Sequence, residues 1–268
     1  MIELKSLSPA NPCGYLAALG LVRVLTPHCE IKLAWSGEWA DVSAVAHCDQ
    51  ATSVEQLAEL LATHHDASWL PKGKDIRKFK TSPASWIARN DKKDKNGFVQ
   101  ETGWRYEAVK ARSGWTDQIR KVEKQVRKQG RQYKRKANPA KYFEALTDWN
   151  QSDAASPLGL DPSAFQDSAR QADTASATEP ICTAAAVWLA TNALPLFPVF
   201  TTQTAGIINN TFHYPTWKHP LGLDSIKAIC TSYCGNKDLK QIPGGVTAWE
   251  SAVESVGARK QWAMAIPV

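Results

Sequence analysis

Between residues 180 and 217 the chain runs for 38 residues without a Lys, Arg, Asp or Glu. A stretch that long with no formal charge has to be covered, either by protein or by a bilayer. Thr183, Thr191, Asn192 and the prolines Pro195 and Pro198 break any apolar run of the roughly 20 residues that a membrane helix needs. The stretch is therefore predicted to be protein core. An Ala-rich buried helix comes first, then a β-hairpin in which 201–208 and 211–217 flank Asn209-Asn210.

The other end of the chain supplies a partner for that core. Residues 2–7 read as a short strand. Asn11 is placed to cap a helix and Pro12 takes its first position, where the missing N–H costs nothing. Tyr15, Leu16, Leu19, Val22 and Leu25 then recur at helical spacing, with Ala17, Ala18, Gly20 and Leu21 between them, so the helix is buried on most sides. Ile31, Leu33 and Trp35 alternate as a half-buried strand ending at Gly37. Thr52 and Glu55 make a capping-box pattern ahead of Leu57, Leu60 and Leu61, which predicts a second helix to about His64. The fold class expected is α+β: an N-terminal strand-helix core at 1–70, a basic and partly helical insert at 71–150, a Ser/Ala/Asp-rich linker at 151–179, and a C-terminal helix and hairpin region at 180–268.

Charge is segregated along the chain. Residues 72–141 hold 22 of the 32 basic side chains and 7 of the 26 acidic ones, a balance of +15, whereas the other 198 residues hold 10 basic and 19 acidic, a balance of −9. A cationic insert on an acidic body attracts polyanions and speeds their encounter. The insert also carries Phe79, Trp86, Phe98, Trp104, Tyr106, Trp115 and Tyr133, whose rings suit stacking on unpaired bases. Nucleic acid is the partner class this points to. The candidate phosphate contacts are Lys72, Lys74, Arg77, Lys78, Lys80, Lys92, Lys93, Lys110, Arg112, Arg120, Lys121, Lys124, Arg127, Lys128, Arg131, Lys134, Arg135 and Lys136. Those from Arg120 onward fall on a predicted cationic helix over 117–136, with Ile119, Val122, Val126 and Tyr133 as a narrow apolar stripe and Gly130 as a weak point. That stripe is too narrow for insertion into a membrane surface, so no membrane partner is expected. Gln203, Asn209 and Asn210, on a hairpin expected to protrude, are candidate base-reading residues.

Catalytic chemistry has thinner support. G-x-x-x-x-G-K-[ST], G-x-G-x-x-G, G-x-S-x-G and H-E-x-x-H are all missing from the sequence. His64-His65-Asp66 closes an amphipathic helix, where a dipole contact explains histidine as well as catalysis does. His213 and His219 lie among Phe212, Tyr214 and Trp217 and read as packed or hydrogen-bonded groups. Six cysteines, Cys13, Cys29, Cys48, Cys182, Cys230 and Cys234, are scattered without a C-x-x-C; the nearest metal-like patterns are Cys230 with Cys234 and the adjacent pairs His28-Cys29 and His47-Cys48. No metal, no cofactor and no enzymatic activity are expected. The opening MIELKSLSPANPC has no basic start leading into an apolar run, so no secretory signal is read and a cytoplasmic location is expected.

Two stretches carry a resemblance. SPANPCGYLAALGLVRVL at 8–25, and VWLATNALPLFPV at 187–199 with TFHYPTWKHPLGLDSIKAI at 211–229, resemble the compact large subunits of type I CRISPR interference complexes, type I-G (formerly I-U) in particular. The likeness covers about 50 residues at the two ends of the chain and leaves the basic middle unmatched. It implies a non-catalytic subunit at one end of a complex of crRNA, target DNA and other protein subunits. Such a subunit recognises the short motif beside the target, helps to open the duplex, and recruits a helicase-nuclease. At 268 residues the chain is short for such a subunit, so a C-terminal helical bundle is expected to be absent or supplied by another chain. Two other readings stand beside this one: a stand-alone binder of single-stranded nucleic acid, and a metal-dependent nuclease using His64, His65 or Asp66.

Overall fold

The computed structural model describes residues 1–38, 41–68, 89–93, 99–101, 115–127, 136–164, 181–197, 199–200, 203–204, 206–208, 211–232, 247–256 and 259–268. Its centre is a pair of helices drawn from opposite ends of the chain. Helix α1 (Pro12–Leu25) starts where Asn11 accepts a hydrogen bond from the Cys13 amide and Pro12 occupies the first turn. Twelve of its 14 residues are buried. It packs along the Ala-rich helix from the uncharged stretch (Ala184–Ala193), every residue of which is buried. The two approach closely because Gly20 lies against the Leu189 carbonyl, where a Cβ has no room.

One side of this pair is covered by an antiparallel sheet of β1 (Ile2–Leu4), β2 (Ile31–Ser36) and β3 (Ser43–Cys48) in the order β1-β3-β2. In β2 Ile31, Leu33 and Trp35 are buried and Lys32 is exposed, as its alternation predicts, but Ala34 on the Lys32 face is buried as well. Helix α2 (Val54–Thr63) follows, with Leu57 and Leu61 in the core. Its cap is Ser53, one residue later than expected. Ser53 Oγ accepts from the Gln56 amide, and Gln56 reaches back to accept from the backbone and hydroxyl of Thr52.

The basic middle is described as a short hairpin, β4 (Arg89–Lys93) with β5 (Val99–Glu101), and two helices, α3 (Trp115–Val126) and α4 (Pro139–Thr147). Ile119, Val122 and Val126 are all buried, so the apolar stripe of α3 belongs to the same core as the terminal elements. Helix α3 is described over Trp115–Val126, and the Val126 carbonyl accepts from the Asn138 amide; of the helix expected over 117–136, residues 128–135 lie outside the described residues. Asn138 in turn caps α4 through its side chain, with Pro139 in the first turn.

Residues 151–164, the described part of the expected linker, are packed. Ala155, Leu158 and Leu160 are in the core, and Asp153 and Asp161 are buried among hydrogen-bond partners. Their Ser, Asp and Gly content serves caps and turns, which composition alone does not distinguish from a linker. The Ala-rich helix, α5 (Ala184–Ala193), begins here. Its own N-cap Thr183 makes no side-chain cap bond, and Asp153 Oδ2 accepts from the Ala184 amide in its place.

The C-terminal part forms the second sheet. Short strands β6 (Val199–Phe200) and β7 (Gln203–Thr204) pair with each other, and β8 (Ile207–Ile208) and β9 (Thr211–Thr216) make the hairpin expected around 209–210, with Ile208 opposite Thr211. Helix α6 (Leu223–Ser232) separates β9 from the long strand β10 (Thr247–Val256), which pairs with β9, β11 (Arg259–Trp262) and β12 (Ile266–Pro267). The two sheets are joined through β2. The Trp35 amide donates to the Trp217 carbonyl, and Leu33 and Leu221 exchange both backbone hydrogen bonds. The architecture is α+β, and every strand pair among the described residues is antiparallel. Among the described residues no helix is long and apolar enough to cross a membrane.

Candidate nucleic-acid interface

Helix α3 is amphipathic in the strict sense. Its apolar stripe faces α5 and the core, and on the other side Lys121 and Lys124 are exposed while Arg120 is half-buried. A helix so docked holds its cations in fixed places on the surface, which a mobile charged segment does not. Lys136, just beyond the helix, is exposed as well.

A buried polar cluster pins α3 from below. His65, at the end of α2 with its side chain 1% exposed, stacks on Trp188 of α5 with ring centroids 4.9 Å apart. Its Nδ1 lies 2.7 Å from the Tyr142 hydroxyl of α4, and its Nε2 faces Glu123 of α3 at 3.5 Å, longer than a good hydrogen bond. Glu123 also pairs with Arg127 one turn on. A carboxylate only accepts, so a proton on Nε2 would point at Glu123, and with that tautomer Nδ1 accepts from the Tyr142 hydroxyl. Burial keeps that phenol protonated far above its ordinary range. Burial also works against the charged form of Glu123, yet the contacts with His65 and Arg127 outweigh it, and its pKa lies below the ordinary carboxylate value. One histidine thus connects α2, α3, α4 and α5.

A second buried cluster holds the start of α4 to the α5 N-terminus. Lys141 lies 2.7 Å from Asp153 Oδ1 and 3.2 Å from Glu144 Oε2, and Asp153 and Cys182 exchange backbone hydrogen bonds. Nearby Asp161 accepts from the Asn11 and Gln151 amides and from the Ser163 hydroxyl, linking the α1 cap to the 151–164 segment. Two of the region's cations, Arg127 and Lys141, thus have acidic partners inside the protein. Among the basic residues of the region whose burial is described, Lys121, Lys124 and Lys136 are exposed.

Of the other candidate contacts, Lys92 and Lys93 lie on the β4 backbone and Gln203 on β7. Lys72, Lys74, Arg77, Lys78, Lys80, Lys110, Arg112, Lys128, Arg131, Lys134, Arg135, Asn209 and Asn210 lie outside the described residues, as do Phe79, Trp86, Phe98, Trp104, Tyr106 and Tyr133.

No matching family model, curated protein or solved structure was found.

The residues weighed for catalysis do not converge. His64 stacks on His28 at 3.7 Å, His65 points into the core, and Asp66 accepts from the backbone and hydroxyl of Ser68. His213 pairs across the sheet with Glu250 at 3.0 Å. Cys230 is buried with its sulfur 3.8 Å from the Tyr15 hydroxyl, and Cys234 lies outside the described residues. Sequence reasoning missed an aromatic cavity of about 470 Å³ where the two sheets meet, lined among others by Trp35, Trp217, Trp249, Thr216 and Lys218. Trp217 donates to the Leu33 carbonyl and Trp249 to Thr216 Oγ1, while the Trp35 indole N–H has no acceptor among the described residues. The three tryptophans are 182 and 32 residues apart in sequence, and the pairing of β2 with the segment after β9, together with that of β9 with β10, brings them together.

Proposed function

We propose that this chain is a non-catalytic nucleic-acid-binding subunit of a crRNA-guided type I CRISPR interference complex. In that role it holds target DNA beside the guide-paired region, reads the adjacent motif and recruits the helicase-nuclease. The observation that carries the nucleic-acid part is the segregation of charge: a balance of +15 over 72–141 on a remainder of −9. Lys121 and Lys124 add fixed positive charge to that segment, because the opposite face of their helix is core. Cations held in a row suit a phosphate backbone, since each neutralised phosphate releases condensed counterions. Guide pairing supplies the sequence recognition in such a complex, leaving the protein to hold backbone and read a short duplex motif. The partner set, crRNA, target DNA, other subunits and the helicase-nuclease, rests on the resemblance of 8–25, 187–199 and 211–229.

The test is binding to duplex and single-stranded DNA over a salt series, by the chain alone and in the co-assembled crRNA complex. Affinity that appears only on assembly and depends on a short duplex motif is expected. With Lys121→Glu and Lys124→Glu together, binding should weaken alike across sequences, and the slope of log affinity against log salt should fall by about 2. Tight, salt-steep binding by the isolated chain would support an autonomous single-strand binder, and unchanged affinity in the double variant would exclude α3 from the interface.

A further inference from the structure

Cys29 and Cys48 come from different elements and meet at one corner of the first sheet. Cys29 follows the C-terminus of α1, its amide bonded to the Leu25 carbonyl, and Cys48 ends β3 opposite Ile31. The ladder holds them there: the Asp49 amide donates to the Glu30 carbonyl, and the Gln50 side chain donates to the His28 carbonyl. The sulfurs are 3.7 Å apart, and an oxygen of Asp49 completes a group whose ligand atoms all lie within 4.8 Å of one another. Among the described residues this is the one group of three with that geometry. Two thiolates on a tetrahedral zinc ion, with Zn–S near 2.3 Å, stand about 3.8 Å apart. The sulfurs are thus spaced as two ligands of one ion and far beyond the roughly 2.05 Å of a disulfide.

We infer that Cys29, Cys48 and Asp49 bind one thiophilic divalent cation of the zinc class, with solvent in the fourth position. The cation clips the end of α1 to the β2–β3 ladder. Both cysteines and Asp49 are at least partly accessible, which gives an ion a way in, whereas Cys13, Cys182 and Cys230 are buried. A bound cation displaces the thiol protons and holds both sulfurs as thiolates.

The experiment is a titration of the reduced chain with Co²⁺, read by the thiolate-to-cobalt charge-transfer absorption and the visible bands of a tetrahedral ion, followed by displacement with Zn²⁺. One equivalent per chain is expected. Binding should be lost in Cys29→Ser and in Cys48→Ser, and weakened about tenfold or more in Asp49→Asn. Alkylation of the unsubstituted chain gives a second readout that needs no variant: Zn²⁺ should protect Cys29 and Cys48 together, as mapped by peptide mass. The inference is overturned if no charge-transfer band forms, if the band survives in the cysteine variants, if Zn²⁺ leaves both thiols open to alkylation, or if the reduced chain takes up no metal and its two thiols simply oxidise to a disulfide.

Discussion

Gly20 of α1 lies so close to the carbonyl of Leu189 in α5 that a single added carbon would overlap it. The contact joins the first 25 residues to the stretch after 180, and the whole basic middle of the chain lies between them in sequence. Two helices with small residues at their crossing approach backbone to backbone, and the large side chains around them close the remaining space.

Gly20→Ala is therefore expected to destabilise the fold. Alanine gains about 1 kcal/mol in intrinsic helix preference over glycine, but overpacking against a backbone atom that no rotamer change can relieve costs about 3 kcal/mol or more. Urea denaturation should show a lower midpoint for this variant. Gly222 has open space around its Cβ position and stands just before α6, so Gly222→Ala should cost about 1 kcal/mol or less, the loss of a glycine cap.

Asp153 serves two structures at once, capping α5 through one oxygen and pairing with Lys141 through the other. Asp153→Ala leaves the Ala184 amide uncapped and removes one of the two acidic partners of Lys141, at a cost of about 2 kcal/mol or more. Asp153→Asn keeps an oxygen for the amide and gives up only the charge, so its loss should be smaller. The comparison of the two denaturation midpoints separates cap from ion pair, and equal losses would assign the whole effect to the charge.

Glu123 sets a pH dependence whose sign follows from its surroundings. Its folded pKa is below the ordinary carboxylate value, so its contribution to stability is present above that value and is lost as pH falls through the folded pKa. Glu144 acts in the opposite direction: burial raises its pKa above the ordinary value despite Lys141, so its charged form weakens the fold as pH rises. Glu123→Gln isolates the first effect. The variant should be less stable than the parent at neutral pH, with a gap that closes as pH falls through the folded pKa of Glu123, below the ordinary carboxylate value. Stability curves that run parallel over that range would show that the His65–Glu123–Arg127 cluster contributes no proton linkage.

Much of the fold was legible because it is written in local signals. Asn11-Pro12 caps the helix it was expected to cap and Asn138-Pro139 starts α4 in the same way, since a side-chain oxygen followed by proline satisfies a helix start whatever the surroundings. The stripe of Ile119, Val122 and Val126 is buried as its spacing predicts, and β8 and β9 flank residues 209–210. Strand β10 had no counterpart among the expectations, because Thr247, Ala248, Glu250, Ser251 and Ala252 carry little of the β-branched alternation that marks a strand; its place comes from pairing with β9, β11 and β12. Residues 151–164 resembled a linker for a similar reason, their Asp and Ser side chains being bonded to distant partners such as Asn11 and Ala184.

What the sequence determined by itself was the segregation of charge, the caps and the two helices too apolar to be anywhere but inside, since each depends on residues within a turn or two of one another. Tertiary structure decided the rest. It buried His65 against Trp188, engaged Arg127 and Lys141 with acidic partners while leaving Lys121 and Lys124 exposed, and brought Cys29 to 3.7 Å from Cys48. Those relations join side chains separated by up to 123 residues, as His65 is from Trp188, and such distances are fixed only when packed elements close the chain on itself.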